Sequence, residues 1–166
     1  MHFNASTDYP ASAAAVAELF ANPDFVDAKI AASGASEGKK EITGSPAGAF
    51  TVATTRTMPS DIIPAQYRKF VPGGVTLTLT EAWQAPSADG SREGKLTLKI
   101  AGVPASAEGT CALTAVSEEA ATLTYDGDVN VSIPLFGGKI EQAAVNAVER
   151  VMRLERDVAV EWLARR

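Results

Sequence analysis

The sequence predicts an α+β fold in which a curved antiparallel sheet wraps one long C-terminal helix. Three observations lead there. From about residue 37 to residue 135 apolar and polar residues mostly alternate, the period of a sheet with one buried and one wet face. After Gly137-Gly138 the apolar spacing changes to three and four, the period of an amphipathic helix. A helix that long needs a broad apolar surface to lie on, and only the sheet offers one.

The elements follow in order. Phe3, Ala5, Thr7 and Tyr9 alternate with polar residues, as in a half-buried strand. Pro10 suits the first turn of a helix, and Ala13 to Phe20 reads as a short alanine-rich one. Asn22-Pro23 is a cap followed by a first-turn proline, opening a second helix through Phe25, Val26 and Ile30 that Gly34 ends. Strands then carry Phe50 and Val52; Val75, Leu77 and Leu79; Leu96, Leu98 and Ile100; and Cys111, Leu113 and Ala115. Turn signals at Gly44-Ser45-Pro46, Asp89-Gly90-Ser91, Gly102-Val103-Pro104 and Ser117-Glu118-Glu119 separate them. In the last strand Leu123, Tyr125, Val129, Val131, Ile133 and Leu135 share one parity, which continues across Asp126-Gly127 and favours an unbroken strand over a hairpin there. Gly127 then lies on the buried face, where a missing side chain lets another element approach. In the final helix Ile140, Ala144, Ala147, Val151, Leu154, Val158 and Trp162 form one stripe, opposite Glu141, Glu149, Arg153 and Asp157. Glu149 and Arg153 make an i,i+4 pair, and Glu141 and Arg165-Arg166 complement the helix dipole.

The 166 residues suit one domain, 1–166, large enough to bury roughly two thirds of its unfolded surface without staples. Cys111 is the only cysteine, so no internal disulfide forms, and a reducing cytoplasm is the expected setting. The net charge of −5 argues against nucleic acid and anionic membranes as partners. Residues 1–8 lack the basic and apolar regions of a signal peptide, and no apolar run approaches the roughly 18 residues of a membrane span.

This order of elements resembles the helix-grip fold of the START-like, pollen-allergen-like (SRPBCC) ligand-binding superfamily, over essentially the whole chain. The segments that carry the resemblance are Tyr9-Pro10-Ala11-Ser12 with Val16 and Leu19-Phe20, and Ile133-Pro134-Leu135-Phe136-Gly137-Gly138-Lys139-Ile140-Glu141. Pro64-Ala65-Gln66-Tyr67-Arg68-Lys69-Phe70 followed by Glu81-Ala82-Trp83 is similar to a branch of uncharacterised, mainly actinobacterial domains. The resemblance implies a cavity between sheet and helix. Relatives use such cavities for lipids, sterols, polyketides or isoprenoids, some as carriers and some as cyclases or hydrolases. Fold alone does not choose among these.

No catalytic, metal-binding or cofactor-binding signature stands out. Gly34-Ala35-Ser36-Glu37-Gly38 matches G-x-S-x-G, but a nucleophile elbow needs a strand before the serine and a helix after it, and here the order is reversed. His2, the only histidine, has solvent-facing parity near the terminus. Cys111 reads as a small buried apolar residue. No glycine-rich phosphate loop occurs.

Ligand-binding candidates are more informative. Residues 58–72 form a connection longer than an ordinary hairpin loop, crowded with Met58, Ile62, Ile63, Tyr67, Phe70 and Val71, where Ser60 or Asp61 would cap a short helix. This segment is either a lid over a cavity mouth or a helix packed on the core. Arg56 and Glu81 share the parity of their strands' apolar residues, so both head groups point into the concave face, pairing with each other or meeting water or a polar ligand group. The ordinary alternative is that the strand ends emerge and both are solvated. Trp83, Tyr125, Val148 and Met152 either line a pocket or fill the core. Three functions remain: binding or carrying an apolar small molecule, a cyclase/aromatase-like reaction in the same cavity, or a protein-interaction module with a filled core. A poor supply of histidine, cysteine and inward acids favours binding.

Overall fold

The computed structural model describes residues 1–165, without the side chain of Ile62. Seven strands form one antiparallel sheet in the order β1-β7-β6-β5-β4-β3-β2. They are β1 (His2–Tyr9), β2 (Glu37–Gly44), β3 (Phe50–Met58), β4 (Val75–Trp83), β5 (Arg92–Ile100), β6 (Ala105–Ser117) and β7 (Ala120–Val131). Two helices, α1 (Ala13–Phe20) and α2 (Pro23–Ala32), lie between β1 and β2, and α3 (Gly137–Ala164) follows β7. This is the helix-grip α+β architecture.

Local chemistry sets the early boundaries, with one correction: Pro10 lies before α1 and not in its first turn, because the helix begins at Ala13 behind a serine cap. Ser12 Oγ accepts from the Ala15 N–H at 3.2 Å and caps α1. Asn22 Oδ1 accepts from the N–H groups of Asp24 and Phe25 and caps α2, whose first residue is Pro23. β7 runs unbroken through Asp126-Gly127, and Gly127 pairs with Gly109 of β6. A Cβ on either would meet the backbone of the other strand, so it is β6 that approaches Gly127 closely.

The strand parities hold. Phe50, Val52, Leu96, Cys111, Leu113, Leu123 and Tyr125 are buried on the concave face. One end of that face is filled by rings from three directions. Trp83 stacks on Phe20 (centroids 6.0 Å) and Phe50 (6.4 Å), while Tyr9 meets Phe20 edge-on at 5.7 Å. Phe25 of α2 meets Trp162 of α3 edge-on, tying the two helices together.

Four expectations change. α3, 28 residues and so about 42 Å long, is rotated from the predicted stripe. Val151 and Leu154 are exposed, whereas Met152, Glu155 and Ala159 are buried. β7 stops at Val131, short of the predicted Leu135, which has a left-handed conformation (φ 67°) and is 95% exposed. Glu141 accepts from the Val131 N–H at 2.9 Å, joining α3 to the end of β7 rather than serving the first turn of the helix. Of the basic pair meant to serve the other end, Arg166 lies outside the described residues, and the last turn holds no base among those described. Neither Ser60 nor Asp61 caps a helix; Pro59 and Pro64 precede two 3-10 turns, Ser60–Ile62 and Ala65–Phe70.

Candidate functional site: a charged cluster under a half-open concave face

α3 packs on β1, β7 and α2. At the end of the concave face away from the aromatic stack, inward-pointing Leu77 and Leu79 of β4 and Leu98 and Ile100 of β5 are only half-buried. They form cross-strand pairs, Leu77 with Ile100 and Leu79 with Leu98, so their side chains make one apolar patch.

The β3–β4 connection rises at this same end. Arg68 folds it on itself: Nε donates to the carbonyls of Ser60 (3.0 Å) and Ile63 (2.8 Å), and Nη2 donates to that of Asp61 (2.9 Å). Phe70 then meets Phe136, just before α3, edge-on at 5.3 Å. The Lys69 ammonium lies 4.5 Å from the Phe136 ring and 5.1 Å from that of Phe70. The connection is thus clasped to the start of α3. Met58, Ile63, Tyr67 and Phe70 are all half-buried; the side chain of Ile62 lies outside the described residues.

Deeper in, charged groups from four elements meet. Arg56 of β3 and Glu81 of β4 are each 5% exposed, so the solvated alternative does not hold. They are not each other's partners. Arg56 Nη2 donates to Glu155 Oε1 at 3.2 Å, and Lys29 Nζ of α2 donates to Glu155 Oε2 at 3.5 Å. Lys29 is 5% and Glu155 8% exposed. Glu81 accepts a hydrogen bond from the Tyr125 hydroxyl. Burial pushes Glu81 up, and the pull of Lys29, the Tyr125 hydrogen bond and Arg56 does not cancel it. Burial pushes Glu155 up as well, but the charges and hydrogen bonds of Lys29 and Arg56 outweigh it and hold the carboxyl below its ordinary range. Burial, then the Glu81 charge, raises Tyr125 well above the usual phenol value.

Other predicted residues divide. Trp83 belongs to the aromatic stack and Met152 to the core. Val148 lines a cleft of about 230 Å³ between β1 and α3 with Phe3, Ala5 and Asn146. That cleft touches none of the interior charges. Neither does a shallower depression of about 600 Å³ beside Ser12, Asp89 and Val116. His2 is exposed beside Asp126 and Asp128, and Cys111 is buried. Ser36 sits between α2 and β2, in the reverse of the nucleophile-elbow order.

Sequence reasoning missed Glu155, Lys29 and Thr54, and with Glu155 it missed an inward acid. The signal was present. Glu155 falls three residues after Met152 and four before Ala159, and Lys29 falls four after Phe25. A pattern that admits only apolar residues to the buried face passes over both.

Residues 4–163 match the family described as "Protein of unknown function (DUF2505)". An uncharacterised protein of Mycobacterium tuberculosis is 23% identical over 97% of this chain and 95% of its own. Among solved structures, a START superfamily protein from Mycobacterium smegmatis is 14% identical, with a TM-score of 0.56 over 98% of each chain. The Zhui aromatase/cyclase from Streptomyces sp. R1128 is 15% identical, with a TM-score of 0.57 over 100% of this chain and 94% of that one. The fold is START-like, as the sequence resemblance implied, and the mycobacterial relatives fit its actinobacterial branch.

Proposed function

This chain belongs to the DUF2505 family, and on that premise we propose that it binds or carries an apolar small molecule, lipid-, isoprenoid- or polyketide-like, between the sheet and α3. The observation that carries this reading is the half-buried patch of Leu77, Leu79, Leu98 and Ile100. Inward apolar side chains normally gain by leaving water, at about 25 cal/mol per Å² buried. Here they stop half-way, at the end of the sheet where the β3–β4 connection carries the half-buried apolar residues Met58, Ile63, Tyr67 and Phe70. Apolar walls with a few convergent polar groups describe most small-molecule sites. The START superfamily protein and the aromatase/cyclase of the same fold support the reading by analogy only.

Native mass spectrometry of freshly purified protein, before and after organic extraction, tests it. A discrete added mass that extraction removes is the expected result. A bare mass, with no uptake of a fluorescent fatty-acid probe, overturns it in favour of a filled core.

A second reading, a cyclase/aromatase-like reaction in the same space, has one specific observation in its favour. Two buried carboxyls, Glu81 and Glu155, are pushed in opposite directions by their surroundings, an arrangement that separates a proton donor from a carboxylate. Turnover of a polyketide-like substrate that Glu81→Gln abolishes while binding persists distinguishes it from carriage. The interaction-module reading has less support. Among the described residues, the exposed large apolar side chains are Met1 at the terminus, Val116 at the β6–β7 turn, Leu135 before α3, and only one adjacent pair, Val151 and Leu154 on α3.

A further inference from the structure

We infer that the ligand of the concave face is an apolar acid, held by its carboxylate against Arg56 and Thr54 at the junction between the charged cluster and the leucine patch. This deepens the proposed binding function and rests on it.

The geometry starts from the sheet register. Arg56 lies directly opposite Leu77, and Thr54 directly opposite Leu79. Residues opposite each other in an antiparallel pair share a face. The two polar side chains therefore stand beside the two half-buried leucines, where apolar wall gives way to polar floor.

Both carry hydrogen-bonding capacity that nothing among the described residues uses. Arg56 engages Glu155 through Nη2, while its Nε–H is buried without an acceptor. Thr54, 3% exposed, has a buried hydroxyl without a partner. Most buried polar groups in folded proteins are satisfied, so two neighbouring orphans on one face call for an explanation. Both can donate, and the Arg56 Nε–H can do nothing else. Their common complement is a group rich in acceptors.

Charge selects among acceptors. Lys29 and Arg56 share the single carboxylate of Glu155, so two cations face one anion and the triad is left with one net positive charge. Glu81 is engaged by the Tyr125 hydroxyl and bonds to neither cation. A ligand carboxylate supplies the missing negative charge and has the lone pairs for the Arg56 and Thr54 donors at once. An ester or ketone supplies acceptors without the charge.

The test is a matched pair of probes, cis-parinaric acid and its methyl ester, titrated by fluorescence into the full chain. The acid is expected to bind at least about tenfold more tightly than the ester, which corresponds to about 1.4 kcal/mol. Two variants that keep the fold locate the preference. Thr54→Val swaps an unpartnered hydroxyl for a methyl group, and Arg56→Lys keeps a cation beside Glu155 while removing the Nε–H. Each is expected to lower the acid-to-ester affinity ratio threefold or more. Equal binding of acid and ester overturns the carboxylate inference and leaves apolar binding standing. An acid preference that survives both variants assigns the head group elsewhere and also overturns it. Binding of neither probe overturns the underlying reading and the inference with it.

Discussion

Arg56 and Glu155, ninety-nine residues apart in sequence, meet at 3.2 Å in the interior and link β3 to α3 across the concave face. Lys29 completes the contact from α2, so one carboxylate holds three elements at a fixed separation.

Removing the shared carboxylate is therefore expected to be costly. Glu155→Gln leaves Lys29 and Arg56 buried without their counter-charge, and a loss of about 3–5 kcal/mol is expected in urea denaturation. Replacing all three together with apolar residues of similar size, Lys29→Met, Arg56→Met and Glu155→Leu, is expected to restore most of that loss. A single Glu155→Gln chain as stable as the wild type contradicts the triad's structural role.

The two buried carboxyls give opposite pH signatures. Glu81 is raised, so the folded chain holds its proton more tightly than the unfolded chain. Its contribution is present at low pH and is lost as pH rises from the ordinary 4.5 through the raised value. Glu155 is lowered, so its contribution is present above 4.5 and is lost as pH falls through the lowered value. Glu81→Gln, which still accepts from Tyr125, is expected to flatten the decline on the neutral side and leave the acid limb unchanged. Denaturation midpoints of both chains between about pH 3 and pH 8 check this. Parallel profiles above pH 5 count against it.

The clasp between the β3–β4 connection and α3 is expected to be local. Phe136→Ala removes the ring that meets Phe70 and lies under Lys69, a contact worth about 0.5–1.5 kcal/mol beyond its area. Hydrogen exchange is expected to speed up in residues 65–71 while the sheet and α3 keep their protection. If the whole chain loses protection together, the connection is part of the core and not a lid.

Cys111 is expected to be inert in the folded chain. Burial, with a contribution from the Glu81 charge, pushes its thiol up, so little thiolate forms near neutral pH. Iodoacetamide labelling followed by mass spectrometry is expected to show no adduct in native buffer and full labelling in urea. Rapid native labelling disagrees with the buried position.

Much of the fold was legible from the chain. The inward parity of Arg56, Glu81, Trp83 and Tyr125 follows from the alternating apolar residues of their own strands, because a strand alternates faces whatever surrounds it. The cap at Asn22 follows from a side chain that bonds to its own backbone. The partners of those inward charges were less legible. Arg56 and Glu81 sit on paired strands, yet the register sets Glu81 opposite Val52 and Arg56 opposite Leu77, and each finds a partner on another element.

The sequence by itself determined most of the strands, their inward faces and the extent of the final helix, since these depend on periodicities written within a few residues; β2, without alternating burial, and the end of β7 were not legible in this way. Only the tertiary structure decided which face of α3 turns inward. Two overlapping rows compete there, one through Val151 and Leu154 and one through Met152, Glu155 and Ala159. The first is the more apolar, but the second lies inward, where Lys29 and Arg56 meet Glu155. Burying an unpaired charge costs more than exposing two aliphatic side chains, and the pairing that settles the balance comes from residues about a hundred positions away.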